Sequence, residues 1–276
     1  MPRAMTSAKP REQPPPPAEP LRPPLKWAGG KRWQLPHILP IWSGQRDRRL
    51  VEPFCGGLAI TLGLNPVRAL LNDVNPHLVN FYRCLKRGLR TDLAMRNESG
   101  LFYRHRTKFN RLLADGEANT PEAAALFYYL NRTGYNGLCR FNRSGQFNVP
   151  FGRYKTIRYT ADFTGYSLHL ARWEFANLDF EKVVLERRDF VYADPPYDVE
   201  FTSYSKGGFG WPDQVRTAEW LAKHPGPVVL VNQATRRIVD LYSTLGYTLR
   251  YLTAPRRISC TGDRTPAREV LATRNL

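Results

Sequence analysis

The sequence of 276 residues contains few cysteines, and they lie far apart. Cys55, Cys84, Cys139 and Cys260 form no C-x-x-C pair, which argues against a zinc ribbon and against a disulfide scaffold. The five histidines form no ligand pattern. We therefore expect no bound metal.

Long apolar runs are also absent. No stretch approaches the roughly 18 apolar residues that a membrane-spanning helix needs, and no long basic amphipathic helix is visible. The N-terminus lacks the apolar segment of a signal peptide. We expect a cytoplasmic protein without a membrane partner, monomeric in solution.

Acidic residues are scarce, since 24 Asp and Glu stand against 41 Lys and Arg, a net charge of +17. Residues 1–24 contribute four basic and two acidic groups, so nearly all of this charge belongs to the rest of the chain. Such a chain is attracted to a polyanion, and with membranes disfavoured the polyanion that fits is nucleic acid.

Residues 1–24 contain nine prolines and almost no large apolar groups. Such a segment cannot bury enough surface to offset its ordering entropy, so we predict a disordered tail with order beginning near Leu25. Beyond it the chain alternates between strand and helix patterns. Strands are predicted at residues 49–54, 69–71, 190–193, 227–231, 247–252 and 269–273, the last two antiparallel at a sheet edge. This pattern predicts an α/β fold with a doubly wound, mostly parallel sheet.

The middle of the chain has a different composition. Residues 131–158 contain six Lys or Arg, no Asp or Glu, and five interleaved aromatic side chains. Residues 141–147 are typical of a hairpin closed by a glycine turn. This segment is predicted to be an insert with a nucleic-acid-binding surface, although exposed arginines such as Arg143 and Arg158 are equally typical of a solvated face.

Two features suggest a cofactor site at the carboxyl edge of the sheet. A tight turn, Glu52–Gly57, follows the first strand, and Asp73 follows the second at a spacing typical of an acid that binds ribose hydroxyls. Together they indicate an adenosine-containing cofactor without saying which. The segment Lys26–Lys31 does not have the spacing of a phosphate-binding loop. Its indole, glycines and lysine suit an aromatic or cationic ligand that carries a carboxylate.

Asp194-Pro195-Pro196-Tyr197 is the most specific string in the chain. It follows an apolar strand, and its prolines stiffen the loop while leaving carbonyls free as acceptors. A carboxylate, a rigid carbonyl and an aromatic face together suit a planar base with an exocyclic amine. We therefore predict the reacting site here.

These motifs and their order resemble the Dam family of DNA adenine-N6 methyltransferases, from about Lys26 to the C-terminus. Asn131–Arg140 and Phe147–Tyr154 are close to the members that recognise GATC. The resemblance implies an S-adenosylmethionine-dependent methyltransferase fold, with a catalytic domain of residues 25–75 and 161–276 and an inserted helical and β-hairpin recognition domain of residues 76–160. One position departs from the family, since Leu58 stands where a glycine is usual.

The resemblance also assigns roles to single residues on a double-stranded DNA substrate. The catalytic residues are Asp194, Pro195, Pro196 and Tyr197. The S-adenosylmethionine site comprises Trp27, Lys31, Glu52, Phe54, Gly56, Asp73 and Asp194. The DNA-binding residues are Lys26, Arg132, Tyr135, Asn136, Leu138, Arg140, Pro150, Arg153, Lys155, Arg256 and Arg257.

Within the DNA-binding set, Arg140 matches a guanine-reading arginine, the commonest specific base contact. Tyr135 matches a side chain that enters the base stack when the adenine leaves. Arg132, Arg153 and Lys155 are interpreted as phosphate contacts.

Three alternatives remain open at this point. The target could be broader than GATC or a different one. Similar tetrapeptides also serve enzymes that methylate RNA or a protein glutamine amide. The chain could also be a DNA-binding protein that keeps the cofactor pocket without turnover.

Overall fold

The computed structural model describes residues 21–198, 208–255 and 267–276. Within them the strands form one seven-stranded sheet in the order β3-β2-β1-β4-β5-β7-β6. The strands are β1 (Leu50–Glu52), β2 (Ala69–Asn72), β3 (Trp173–Ala176), β4 (Phe190–Ala193), β5 (Val228–Gln233), β6 (Thr248–Ala254) and β7 (Ala267–Arg274).

The first five strands are mutually parallel, and β7 runs antiparallel to both of its neighbours, β5 and β6. The predicted mixed sheet with an antiparallel edge pair is therefore confirmed. Strand β3 was not predicted, because its sequence Trp173-Glu174-Phe175-Ala176 is too short and too mixed to stand out from the helix before it.

Side chains of the central strands alternate between two separate cores, which explains their unbroken apolar sequences. One core receives Leu50, Phe190, Tyr192, Val229 and Val231. The other receives Val51, Val191, Ala193, Val228 and Leu230. Because both faces are covered by apolar groups, the sheet is doubly wound, as predicted.

Three of the described helices begin at a side-chain N-cap. The Asn75, Thr120 and Thr235 side chains accept hydrogen bonds from backbone N–H groups of the first turn, and this satisfies donors that the helix itself cannot pair. The helices are α1 (Leu35–Ser43), α2 (Ala59–Leu64), α3 (Pro76–Lys86), α4 (Ser99–Ala114), α5 (Pro121–Thr133), α6 (Thr164–Leu170), α7 (Trp211–Ala222) and α8 (Arg236–Thr244). No helix of the described residues is both long and apolar enough to cross a membrane.

The predicted insert, residues 76–160, contains α3, α4, α5 and a short hairpin. Phe141 pairs with Phe147 across the hairpin, and Gly145 takes the positive φ that its turn requires. On α4, the Asn110 side-chain amide donates a hydrogen bond to the Phe147 carbonyl, and its oxygen accepts one from the Phe147 N–H. The core of this segment is continuous with the first core of the sheet, so the hairpin stands on a packed base.

The chain makes contacts slightly before the predicted start of order at Leu25. The Tyr166 hydroxyl donates a hydrogen bond to the Arg22 carbonyl, at 2.6 Å, and Leu21 packs against the first core. The rest of the predicted disordered tail, residues 1–20, lies outside the described residues.

Leu58 takes a left-handed backbone conformation at the start of α2, with φ 60° and ψ 27°. This conformation costs an L-residue with a side chain roughly 1–2 kcal/mol. The Leu58 side chain is nevertheless fully buried, at 1 % exposure. The backbone therefore keeps the geometry that suits glycine, while the core gains a leucine.

We expect Leu58→Gly to be more stable than Leu58→Ala by about 1 kcal/mol, because both variants lose the buried side chain but only glycine relieves the strain. Urea unfolding of both variants measures this difference. Leu126, equally buried within α5, is the control. There the alanine variant should have a free energy of unfolding about 0.5–1 kcal/mol higher than the glycine variant. If the alanine variant were the more stable one at both positions, this would contradict backbone strain at Leu58.

Candidate active site and nucleic-acid interface

Three sequence motifs meet at the carboxyl edge of the sheet. Strands β1, β2 and β4 are parallel neighbours in the order β2-β1-β4. Their carboxyl ends lead directly into Pro53–Gly57, Asp73 and Asp194. The structure therefore brings the glycine turn, the proposed ribose acid and the tetrapeptide together, as expected for ligand sites in open α/β sheets.

The glycine pair makes room for the Trp27 side chain. A Cβ atom on Gly56 would lie 2.8 Å from the Trp27 indole nitrogen, and one on Gly57 would lie 2.8 Å from the Trp27 Cβ. Gly56 also has a positive φ of 44°. In the structure the close neighbour of both glycines is therefore the side chain of Trp27, four residues before Lys31.

The Asp73 carboxylate is fixed by the backbone. Its Oδ2 accepts the Gly56 N–H at 3.1 Å, and its Oδ1 accepts the Asn75 N–H at 2.9 Å. Burial raises the Asp73 pKa, although these two bonds oppose the rise. Each carboxylate oxygen has two lone pairs, so Asp73 retains acceptor capacity for a ligand hydroxyl.

An aromatic cluster lines the same edge beside Phe54. The Phe54 ring lies 5.3 Å from that of Phe180 and 5.7 Å from that of Phe209, measured between centroids. Phe180 follows β3 and Phe209 precedes α7. Only Phe54 was predicted here, because β3 was not recognised and Phe180 therefore had no place in the sheet.

The Lys31 ammonium lies among the groups of the tetrapeptide. Its Nζ is 3.5 Å from Asp194 Oδ1, 3.4 Å from Glu269 Oε1 and 4.1 Å from the centroid of the Tyr197 ring. Lys31 is only 6 % exposed. The structure thus links the lysine of the first motif directly to the carboxylate of the last one.

Burial dominates the protonation of the carboxyl groups at this edge. It raises the pKa of Asp194 to about 7, with Lys31 opposing the rise and Glu269 adding to it. It raises the pKa of Glu52 to about 8, against a hydrogen bond from the Thr61 hydroxyl. Asp194 is therefore poised to change charge near neutral pH.

The tetrapeptide loop is held at its far end. The Pro196 carbonyl accepts a hydrogen bond from the Gln214 amide at 2.7 Å. Asp198 is buried and accepts bonds from the Arg237 guanidinium and the Thr235 hydroxyl. Among the described residues the Pro195 carbonyl accepts no hydrogen bond, and neither does Asp194 Oδ1. The loop is thus fixed, while the Asp194 side chain remains 20 % exposed.

Lys26 joins the first motif to the insert. Its backbone exchanges two hydrogen bonds with the Asn131 side chain, at 2.8 and 2.7 Å. Its Nζ donates to the Arg132 carbonyl at 3.0 Å and lies 3.6 Å from the centroid of the Tyr154 ring. Burial, and then the charge of Arg132, lower the Lys26 pKa to about 8.

Several predicted DNA-binding side chains share the exposed face of the insert. Tyr135 is 51 % exposed, Pro150 is exposed, and the Tyr135 N–H bonds to the Pro150 carbonyl at 2.9 Å. The exposed Arg140 is oriented by Asn148, whose side-chain oxygen accepts its Nε–H at 2.8 Å. Leu138 lies between these residues, half-buried against the core.

The remaining predicted DNA-binding residues differ in accessibility. Arg153 and Lys155 are exposed, and Arg132 is half-buried with its guanidinium on the Arg158 carbonyl. Asn136 takes a positive φ of 51° in the turn after α5, a conformation that asparagine tolerates. Arg256 and Arg257 lie outside the described residues.

Three buried polar residues at this edge were not predicted. Glu269 had a visible signal, a charged residue in the otherwise apolar strand Glu269-Val270-Leu271-Ala272, and Asp198 directly follows the tetrapeptide. Gln34 had none, because its role depends on a contact 235 residues away. Within residues 21–198, 208–255 and 267–276, no group of three or more His, Cys, Asp or Glu side chains could hold a metal ion.

The chain is similar to known proteins over most of its length. Residues 27–257 match the family described as D12 class N6 adenine-specific DNA methyltransferase. The retron Ec67 DNA adenine methylase of Escherichia coli is 33 % identical over 265 residues, covering 90 % of both chains. A DNA adenine methylase of Vibrio cholerae is 34 % identical, covering 90 % of this chain and 94 % of that one. A type II methyltransferase of Lactococcus lactis is 37 % identical, covering 80 % and 84 %. With its motifs assembled at one sheet edge and this match across most of its length, the chain belongs to the D12 class of N6 adenine-specific DNA methyltransferases.

Proposed function

We propose that this chain methylates N6 of the adenine in GATC, with S-adenosylmethionine as the donor and the target base turned out of the double helix. The observation that carries the proposal is a pair of neighbouring acceptors, the Asp194 carboxyl group and the Pro195 carbonyl, on a loop that is otherwise held in place. The Asp194 side chain is 20 % exposed, although its Oδ1 is buried beside Lys31. An exocyclic amine has two hydrogens, and two adjacent acceptors suit it.

The charge of the site favours a cationic ligand. The Asp194 and Glu269 carboxylates face one ammonium, that of Lys31, and Asp73 adds a further acid nearby. The pocket is therefore anionic when Asp194 is ionised, although the whole chain carries +17. S-adenosylmethionine carries a sulfonium, an ammonium and a carboxylate, so its net charge of about +1 complements this edge.

The residues present also fit the other parts of that cofactor. Asp73 has acceptor capacity for ribose hydroxyls, and the Phe54 ring offers an apolar face. Trp27 covers the glycine turn, Gly56–Gly57. When bound, the cofactor supplies a methyl group on a positively charged sulfur.

The chain's own residues then orient the amine. Asp194 and the Pro195 carbonyl accept the two N6 hydrogens, which draws the nitrogen lone pair out of conjugation with the ring. Tyr197 stacks on the base. As a carboxylate, Asp194 would also accept the proton that N6 loses when it takes the methyl group from the sulfonium. Position and electrostatics carry this reaction, and no covalent nucleophile is needed.

Recognition of the target is assigned to the insert. Arg140, oriented by Asn148, suits bidentate contact with a guanine. Leu138 and Pro150 suit apolar contact with a thymine methyl, and Tyr135 is exposed enough to fill the space that the adenine leaves. Arg153 and Lys155 would contact phosphates, which position the duplex without specifying its sequence.

The direct test is to incubate the protein with S-adenosylmethionine and unmethylated plasmid, and to map N6-methyladenine by sequencing. We expect modification at GATC alone. Modification at other adenines would keep the reaction and contradict the assignment of the insert. An unmodified plasmid despite measurable cofactor binding would contradict the proposed substrate and favour RNA, a protein amide or a silent DNA-binding protein.

Asp194→Ala is expected to lower the rate of methyl transfer by about 10²–10³-fold, because it removes an electrostatic acceptor from the reacting amine. DNA binding and folding should be retained, as gel-shift and thermal-melting measurements can show. A variant with near wild-type turnover would contradict the role of Asp194.

The activity of the wild type should depend on pH through the same group. Since the Asp194 pKa is raised to about 7, the acceptor is lost by protonation as the pH falls below 7. The single-turnover rate at pH 6 should be about tenfold below its plateau. Glu52→Gln removes the other nearby carboxyl group whose pKa is raised toward neutrality. This variant should retain the fall in rate at low pH, which is the acid limb of the pH–rate profile. A rate that stays constant down to pH 5 would contradict an Asp194 pKa near 7.

Arg140→Ala should weaken binding to a GATC duplex by about 1–3 kcal/mol and relax discrimination at one base pair. The control is Arg143→Ala, an exposed arginine of the same hairpin, for which we expect no change in sequence preference. Competition binding with duplexes altered at single positions measures both. An equal loss of affinity on all sequences would make Arg140 a phosphate contact.

A further inference from the structure

Glu269 is a buried acid beside the proposed catalytic carboxylate. It lies on β7, is 5 % exposed, and has Gln233 of β5 as its register partner. A buried carboxylate is costly unless it is paired and hydrogen-bonded. Its location at the carboxyl edge of β5, next to Lys31 and Asp194, requires an explanation that sheet formation alone does not supply.

The second oxygen of Glu269 is fixed by a chain of hydrogen bonds. The Tyr192 hydroxyl donates to Gln34 Oε1 at 2.7 Å, and Gln34 Nε2 donates to Glu269 Oε2 at 2.7 Å. Gln34 and Tyr192 are almost completely buried. This chain spans from β4 to β7 and holds the carboxylate in one orientation.

The first oxygen of Glu269 shares Lys31 with Asp194. The two Nζ–oxygen distances are 3.4 and 3.5 Å, and both are longer than the 2.7–2.9 Å or so of a short charge-assisted hydrogen bond. Lys31 is thus attracted from two sides. Asp194 Oδ1 is buried without a hydrogen bond within the described residues, whereas the Asp194 side chain as a whole is 20 % exposed.

We propose that Glu269, held by Gln34, is a positioning residue that keeps the Lys31 ammonium from closing onto Asp194, so that the Asp194 carboxylate stays free for the target amine. The inference rests on the proposed function, in which Asp194 accepts the N6 hydrogens. Without Glu269, Lys31 would have one carboxylate partner left and would bind it tightly. Asp194 would then be occupied before the substrate arrives.

The test is Glu269→Gln, assayed with S-adenosylmethionine and unmethylated plasmid across pH 5 to 9. Within the part of the chain that the structure describes, the charged and titratable groups that interact with Asp194 are Lys31, Glu52, Tyr192, Tyr197, Tyr242 and Glu269. In Glu269→Gln the negative charge beside Asp194 is lost, and Lys31 moves closer to Asp194. Both changes favour the ionised form of Asp194. We expect the acid limb of the rate to move about one pH unit lower, and the plateau kcat to fall about tenfold, with DNA affinity unchanged.

Glu186→Gln is the matched control, since Glu186 is ion-paired with Arg49 at the opposite edge of the sheet. We expect it to retain both the acid limb and kcat. If Glu269→Gln does not fold, Glu269→Asp keeps the charge but withdraws the carboxylate by one methylene. It should shift the limb in the same direction by a smaller amount and lower kcat several-fold.

Each possible failure has its own signature. A folded Glu269→Gln or Glu269→Asp variant with wild-type kcat and an unchanged acid limb overturns the inference. A lowered melting temperature with an unchanged limb also overturns it, because this is the outcome of a merely structural role. An active Asp194→Ala variant overturns the proposed function itself, and the role of Glu269 with it.

Discussion

The position of the Lys31 ammonium between two carboxylates constrains much of this molecule. Asp194 follows β4 and Glu269 lies on β7, with β5 between these strands in the sheet. The distance between the two acids is therefore set by sheet geometry and not by the acids themselves. The segment Lys26–Gln34 brings one lysine to both acids, with Lys31 Nζ at 3.5 Å from Asp194 and 3.4 Å from Glu269. The glycine turn after β1 permits this, because it lets Trp27 pack closely on the backbone.

The carboxyl edge of the sheet has the opposite electrostatic character from the chain as a whole. A net charge of +17 attracts DNA, yet the carboxyl edge of the sheet gathers Glu52, Asp73, Asp194 and Glu269. The last two of these acids face one buried ammonium, that of Lys31. Burial keeps two of these acids near their titration point at neutral pH. A positively charged methyl donor and a neutral base both suit such a site, whereas the negative charge of a phosphate would be repelled. The contrast separates the surface that attracts the substrate from the site that would react with it.

Much of the fold could be predicted from sequence, because its central strands are short apolar runs that end in turn residues. The order of the motifs likewise predicted a shared edge, since parallel strands place their carboxyl ends together. Strand β3 escaped prediction, and Phe180 with it, because four residues of mixed polarity carry no periodic signal. Gln34 escaped for another reason, because its hydrogen-bond partner Glu269 lies 235 residues further along the chain. Glu269 stands out as a charged residue in an apolar strand, but the sequence does not identify its partners. Such a contact follows only from β7 entering the sheet antiparallel beside β5.

Lys26 and Lys31 are only five residues apart, but their ammonium groups lie in opposite electrostatic surroundings. Lys31 faces carboxylates, whereas Lys26 faces the Arg132 carbonyl, the Tyr154 ring and the charge of Arg132. Burial beside a like charge lowers the Lys26 pKa to about 8, so its ammonium is held under an electrostatic penalty. A nearby phosphate or guanine oxygen would relieve that penalty by supplying negative potential. Because Asn131 clamps the Lys26 backbone to the insert, a nucleic acid bound there would act on the segment that also positions Lys31. The proposed recognition surface and the proposed reacting site therefore share one short piece of backbone.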